Sequence, residues 1–312
     1  MQAENAPRPG LLEVIAVWTG LGLVALAILV TYARLPLDEL YNVSYGGLEG
    51  GLGRVVVFAG YPTALVAIAI LAVVVDRLRT TWVSVLAVIA AILCVTVAWP
   101  GVVEQGDLDV KPANALAAAG TLIALGLTIL ALRRGGVGYR RPFGGGWDVA
   151  RLVVAVIVVL SGLPWFAAAI GFHLDDVPGL GSLFLTGVPR PEPGHPTLTA
   201  VHLGHHHGFD GTLLALVALA LSRTVSMLRS GILRTGYRFY VSLMLVYGLA
   251  NALQDFWLEQ LVKRGTTSLE IPTLTVPKAS VAWAAILAAT LIIHFAAGRV
   301  GTFEPSSQEG VP

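Results

Sequence analysis

The sequence predicts an all-α fold: a polytopic membrane bundle of about eight transmembrane helices with both termini in the cytoplasm. Three observations carry that expectation. Of 312 residues, 55% are hydrophobic and only 12% are charged, with a mean hydropathy of +0.76, whereas a soluble domain carries about a quarter charged residues. Eight separate windows are apolar over the roughly 20 residues that a helix needs to cross a hydrocarbon core of about 30 Å. The Lys and Arg residues fall unevenly on two alternating sets of connections. This composition excludes a soluble enzyme, a disordered chain and a disulfide scaffold. The single cysteine, Cys94, has no partner for an internal bridge. A net charge of +1 with dispersed basic residues argues for no nucleic acid partner.

Each window is read as a helix, because backbone polar groups find no water in lipid. The first, 11–33, is too long for a signal-peptide apolar region and lacks a small-x-small cleavage site, so it reads as a retained span. The second, 55–75, lies between Arg54 and the polar run Asp76, Arg77 and Arg79, with Tyr61 and Pro62 marking a kink. The third, 82–103, has Trp82 and Trp99 as interface anchors, and the fourth, 113–132, is closed by Arg133 and Arg134. The fifth, 149–172, follows the interface anchor Trp147 and carries Pro164 and a further anchor, Trp165, in its outer half, where the proline is expected to kink it. The sixth, 206–225, opens on histidines and ends at Arg223; the seventh, 239–260, follows Arg234 and Arg238 and ends on the polar stretch NALQDFWLE. The eighth, 279–298, begins near the anchor Trp283, holds a lone His294 expected to pack or hydrogen-bond between helices, and ends at Arg299. Trp257 reads as a further anchor. Glu13 and Arg151 lie near enough to the boundary to snorkel, and Asp76, Arg77, Arg79, Arg140 and Arg141 read as topology and headgroup residues.

Thirteen of the Lys and Arg residues fall on one set of flanks and seven on the other, the excess sitting in 133–141 and 223–238. Basic residues favour the cytoplasm, so the connections 34–54, 104–112, 173–205 and 261–278 are expected outside. The chain divides into a first membrane half, 1–134, a cytoplasmic Gly/Arg-rich linker, 135–148, and a second half, 149–300, with its outer connection 173–205. A short polar tail, 301–312, is expected to be disordered.

Function is legible at one place. Six of the seven histidines (His173, His195, His202, His205, His206 and His207) lie within 35 residues on the outer side. If VHLGHHHGFDG (201–211) is helical, a rotation of about 100° per residue gathers His202, His205, His206 and Asp210 on one face and turns His207 away. Imidazoles at such spacing can share a cation, with a carboxylate completing or orienting the set. The seventh helix repeats the spacing with Asn251, Gln254, Asp255 and Glu259. Counted from Arg223 and Arg238, His206 and Asp255 both sit roughly 25 Å above the inner boundary, so the two stripes should meet level by level. His173, Asp175 and Asp176 are expected to add a third wall. Tyr247, one turn below Asn251, is placed to donate a hydrogen bond.

The leading expectation is a metal site on helices 5–7, with His202, His205, His206 and Asp210 as ligands. Its metal would be a transition metal (Zn, Fe, Mn or Cu), and Asp255 and Glu259 would be catalytic acids or bases of a membrane enzyme acting on a lipid-soluble or periplasmic small molecule. The spacing His-x-x-His-His resembles one histidine box of the membrane di-iron desaturases and hydroxylases. Those enzymes use several boxes on the cytoplasmic side and this chain has one outside, so the resemblance assigns no family. Two other readings stand beside it. One is haem b between His173 and His202, as in an electron-transfer or assembly subunit of a membrane complex. The other is a metal-ion or proton-coupled transporter. A transporter needs a polar path continuing inward, yet LLALVALAL (213–221) and LMLVYGLA (243–250) are apolar, so the site is expected to open only outward, to a small-molecule or ion ligand from the extracytoplasmic side. In every reading the lipid bilayer is the principal partner and the cell membrane the location.

Overall fold

A computed structural model of the chain describes residues 10–99, 101–102, 107–138, 142–191, 195–202, 206–271 and 280–300, apart from the side chains at 206, 299 and 300. The tail 301–312 and the charges Arg8, Glu104, Arg140, Arg141, Glu192 and Lys278 lie outside the described residues. Among those described, the chain is helical throughout, with one isolated bridge between Pro189 and Thr199. Eight helices are long and apolar enough to span a membrane: α1 (Leu12–Arg34), α2 (Gly47–Leu78), α3 (Thr81–Ala98), α4 (Pro112–Gly135), α5 (Gly146–Ala169), α6 (His206–Leu221, continued by a 3-10 segment to Met227), α7 (Gly231–Val262) and α8 (Val281–Val300). They run alternately between an arginine end and a histidine end.

Two helices start earlier than their apolar windows, each for a local reason. α2 begins at Gly47, eight residues ahead of 55, on the glycine-rich turns GLEGGLGR. A Cβ on Gly51 would stand 2.8 Å from the Leu29 carbonyl oxygen of α1, so the glycines let the two backbones touch. Arg54, which capped the window in the sequence, is instead inside, at 1% exposure. Its guanidinium lies over the rings of Tyr32 and Phe58, at 5.1 and 5.4 Å, and donates to the Leu108 carbonyl at 2.9 Å. α7 begins at Gly231, eight residues before 239, where Ser230 accepts from Leu233 N and the Asp76 carboxylate accepts from Arg229 N and Ser230 N. A carboxylate at a helix N-terminus satisfies orphan donors and complements the helix dipole.

α6 is the central helix, with 72% of its span buried against 17% for α8. It meets α7 backbone to backbone. A Cβ on Gly211 would come 2.6 Å from Ala252 N and Gly248 O, and one on Gly248 would come 2.7 Å from Ala215 N and Gly211 O. Small residues at such crossings are how helices approach in lipid. The main core draws on α1, α2, α3, α4, α6, α7 and α8, and a second cluster joins α1, α2, α5, α6 and α7 towards the histidine end.

The arginine end is closed by ion pairs rather than by snorkelling side chains. Arg223 pairs with Glu13 of α1 at 3.2 Å and with Asp148 of α5 at 2.6 Å, while Arg151 reaches Asp148 at 3.0 Å and Ser222 at 2.7 Å. Arg77 is also turned inward, donating to the carbonyls of Gly135 and Gly136 at 2.8 and 2.5 Å. The snorkelling reading of Glu13 and Arg151 and the headgroup reading of Asp76 and Arg77 are therefore corrected. Each side chain has a protein partner close enough to make burial cheaper than exposure to lipid. The connection 135–148 is tied at both described ends: Val137 O accepts from Leu11 N, and Asp148 accepts from Gly144 N. Trp82, Trp99 and Trp147 are exposed as interface anchors should be. Trp165 is buried within the bundle, and Trp283 stacks on Tyr247 with ring centroids 5.3 Å apart.

Candidate functional site

The histidine segment is not one helix. α6 begins at His206, and His202 lies in non-helical chain before it, so the face expected to carry His202 with Asp210 does not form. His202 is instead buried against the α1–α2 connection. Its ring packs on Tyr41 at 4.5 Å, and the other neighbour of Tyr41 is His195 at 4.7 Å, whose Nε2 lies 2.9 Å from Asn42 Oδ1. The first turn needs an acceptor for its free N–H groups, and Asp255 on α7 supplies it, its Oδ2 accepting from Gly208 N at 2.5 Å. His205 and the side chain of His206 lie outside the described residues. His207, expected to point away, is buried at the head of α6.

Below that start α6 and α7 meet close to the levels that residue counting set, but through glycines of α6 rather than through a histidine stripe. Gly208 meets Asp255, and Gly211 meets Gly248, Asn251 and Ala252. Asp210, Asp255 and Glu259 are each at most 5% exposed. Glu259 accepts from Trp165 Nε1 of α5 at 2.9 Å, so the tryptophan assigned to the interface holds a carboxylate in the interior. A π-helical turn, Trp257–Val262, ends α7. Its extra residue per turn brings Gln260 inward beside Glu259, where its amide exchanges hydrogen bonds of 2.6 and 3.0 Å with the backbone of Leu185. Gln254 reaches Ile271 O at 3.4 Å.

The line continues past Asn251, where an apolar floor was expected. Asn251 Nδ2 donates to Tyr247 O at 2.8 Å, and the Tyr247 hydroxyl lies 2.8 Å from the Tyr61 hydroxyl of α2. Further along α7, Tyr240 donates to Leu65 O at 2.9 Å, and the Tyr237 hydroxyl is 2.7 Å from Thr224 Oγ1. Tyr237, Tyr240, Tyr247, Asn251, Asp255 and Glu259 are spaced by 3, 7, 4, 4 and 4 residues, a single helical stripe. The spacing was in the sequence, but an averaged hydropathy over LMLVYGLA hides one hydroxyl. The partner Tyr61, on a helix distant in sequence, gave no local sign.

At the histidine end a cleft of about 380 Å³ opens between the α1–α2 connection, the end of α5 and residues 195–202. His173 and His202 line it together, an arrangement that residue counting permits, with His195, Tyr41, Asp38 and Glu39. The α1–α2 residues were not anticipated. Asp175 is taken up elsewhere, accepting from Gly187 N. Among the described residues, no three His, Cys, Asp or Glu side chains are placed to hold a metal ion. His294 packs between helices as expected, accepting from Arg238 Nε at 3.4 Å.

No family model, curated protein or solved structure matches this chain. What it can do must therefore be argued from two features: a buried seam of carboxylates and hydroxyls, and an open cleft above it.

Proposed function

We propose that the protein is a proton-coupled membrane transporter, with the arginine end in the cytoplasm and the histidine end outside the cell membrane. The observation that carries this reading is the 2.8 Å contact between the Tyr61 and Tyr247 hydroxyls. It extends the polar line one step below Asn251, within the otherwise apolar stretch LMLVYGLA. Carboxylates inside a bilayer are expensive and are functional by default, and a metal-only site would have no use for hydroxyls below it. Asp255 and Glu259 are the proton acceptors nearest the outside, and Asp210 is the next. Tyr247 and Tyr61 pass the proton from α7 to α2. Asp255 has a second role in this scheme, because it also holds the start of α6 through Gly208 N; loss of its charge would loosen that helix end and tie proton uptake to movement.

The test is proton uptake by purified protein in liposomes under an inward proton gradient, read with an entrapped pH dye. Wild type should acidify the lumen and Asp255→Asn should not, at equal incorporation. Wild-type liposomes no leakier than empty ones, or full uptake in Asp255→Asn, would overturn the reading.

A second reading places haem b or a transition metal (Zn, Fe, Mn or Cu) at the histidine end, within a metal-dependent enzyme or a subunit of a membrane complex. Its support is that His173 and His202 line one cleft. Elemental and optical analysis of the purified protein decides it: a stoichiometric metal or a Soret band lost in His202→Ala would favour it over transport.

A further inference from the structure

We infer that the cleft at the histidine end binds an organic ammonium group. This is a binding site in its own right, and it stands whether or not protons move along α7. Its volume of about 380 Å³ falls in the range of small-molecule pockets. Among the described residues, the charged members of its lining are Asp38 and Glu39, and no Lys or Arg lines it. Among the described residues neither carboxylate has an ion-pair partner. The basic side chains nearby are engaged with backbone carbonyls: Arg34 with Ile170 O at 3.2 Å, Lys263 with Ala200 O at 2.8 Å, and Arg190 with Lys263 O at 2.5 Å. Those contacts orient the cations without cancelling their charge, so the negative charge of the cleft is local and carried by the two carboxylates of its described lining.

Its wall is aromatic. His195, Tyr41 and His202 form a run of rings with centroids 4.7 and 4.5 Å apart, and Phe172 also lines the space. Carboxylates and aromatic rings lining one space are the chemistry that recognises alkylated or primary ammonium groups, through charge and ring quadrupole together. A bare metal ion is the poorer fit. It needs ligands converging at about 2 Å, and no three side chains here do so. An ammonium group on a carbon frame can use the carboxylates and the rings of this lining together. Such a group can be a free amine or the headgroup of a lipid in the outer leaflet.

The probe is benzyltrimethylammonium, titrated calorimetrically into the detergent-purified full chain, with benzoate and benzyl alcohol as anionic and neutral counterparts. The ammonium should bind saturably and the other two should not. The double variant Asp38→Asn/Glu39→Gln should weaken binding by about tenfold or more, the loss expected when about 1.4 kcal/mol of charge attraction is removed. Both residues are exposed on a connection, so this variant should keep the wild-type unfolding temperature. Tyr41→Phe should bind as wild type and Tyr41→Leu more weakly. Repeating the titration in nanodiscs of phosphatidylglycerol and of phosphatidylethanolamine separates the sources: competition by the latter identifies a lipid headgroup, and equal binding in both identifies a free amine. Preference for benzoate, no saturable binding of the ammonium, unchanged binding in the double variant, or stoichiometric Zn(II) lost in His202→Ala would each overturn the inference. None of these outcomes bears on proton uptake.

Discussion

The Trp165 indole on α5 donates to the Glu259 carboxylate on α7 across 2.9 Å, with both side chains at 2% exposure. This contact ties the fifth helix to the seventh at the level where the π-helical turn begins, and it keeps Glu259 from lying unpartnered in the apolar interior. Trp165→Phe retains the ring and removes the donor. An acceptor left unsatisfied in the interior costs about 1–3 kcal/mol, so the variant should unfold at lower temperature than wild type. The complementary change Glu259→Gln, which leaves a neutral acceptor for the indole, should be milder. Equal unfolding temperatures for wild type and Trp165→Phe would mean that the hydrogen bond contributes nothing.

The crossing of α6 and α7 makes a sharper prediction, because the atoms a new side chain would meet are backbone. Gly248→Ala and Gly211→Ala each place a methyl under 3 Å from main-chain N and O of the facing helix. Overpacking of this kind costs about 1–3 kcal/mol, and here neither helix can yield without separating the Gly208–Asp255 contact one turn away. Gly126→Ala on α4 meets nothing within 4 Å and should be neutral or stabilising by up to about 1 kcal/mol. Thermal unfolding in detergent separates the two cases, and similar losses at all three sites would show that glycine acts through the helix backbone and not through the crossing.

The eight spans were legible in the sequence because apolar length and helix are linked in lipid, and the facing levels of α6 and α7 followed from counting residues between fixed ends. The side-chain partners were not legible, for a physical reason. His202 was placed on a helix face by periodicity, but periodicity holds only once the helix has begun, and the start of α6 is set by Asp255 nearly fifty residues away. Arg54 was read as the end of an apolar window and Trp165 as an interface anchor, because their residue types favour those places. Phe58, one turn along α2, was within reach of local reasoning, but Tyr32 in the first case and Glu259 in the second lie on other helices, far along the chain from the residue each helps to bury.

The closed arginine end should depend on Asp148 more than on any exposed charge. Asp148 is fully buried and takes ion pairs from both Arg151 and Arg223. Asp148→Ala leaves two guanidiniums facing each other without a shared anion, and removal of one partner from a buried pair costs about 3–5 kcal/mol. By contrast Asp107, 56% exposed beside Lys111 at 3.8 Å, belongs to the class of surface pairs that contribute about 0–1 kcal/mol. Asp107→Ala should therefore unfold near the wild-type temperature while Asp148→Ala unfolds well below it. A small effect of Asp148→Ala would mean that water already reaches the Glu13–Arg223–Asp148 cluster.

The Tyr61–Tyr247 pair can be tested for stability and for transport with the same three variants. Tyr61→Phe and Tyr247→Phe each remove one oxygen of a 2.8 Å contact and leave the stacking of Tyr247 on Trp283 in place. Interhelical hydrogen bonds in membranes contribute about 0.6 kcal/mol on average, so the double-mutant cycle should give a coupling of that order, measured by unfolding. A structural pair would show this coupling and nothing more. If the pair also passes protons, either single variant should slow liposomal uptake by about tenfold or more, the factor that about 1.4 kcal/mol on a transfer barrier produces. The double variant should then be no slower than the worse single one, because a relay broken at one oxygen is already broken. Coupling in stability with full uptake in all three variants would leave Tyr61 and Tyr247 as a packing contact between α2 and α7.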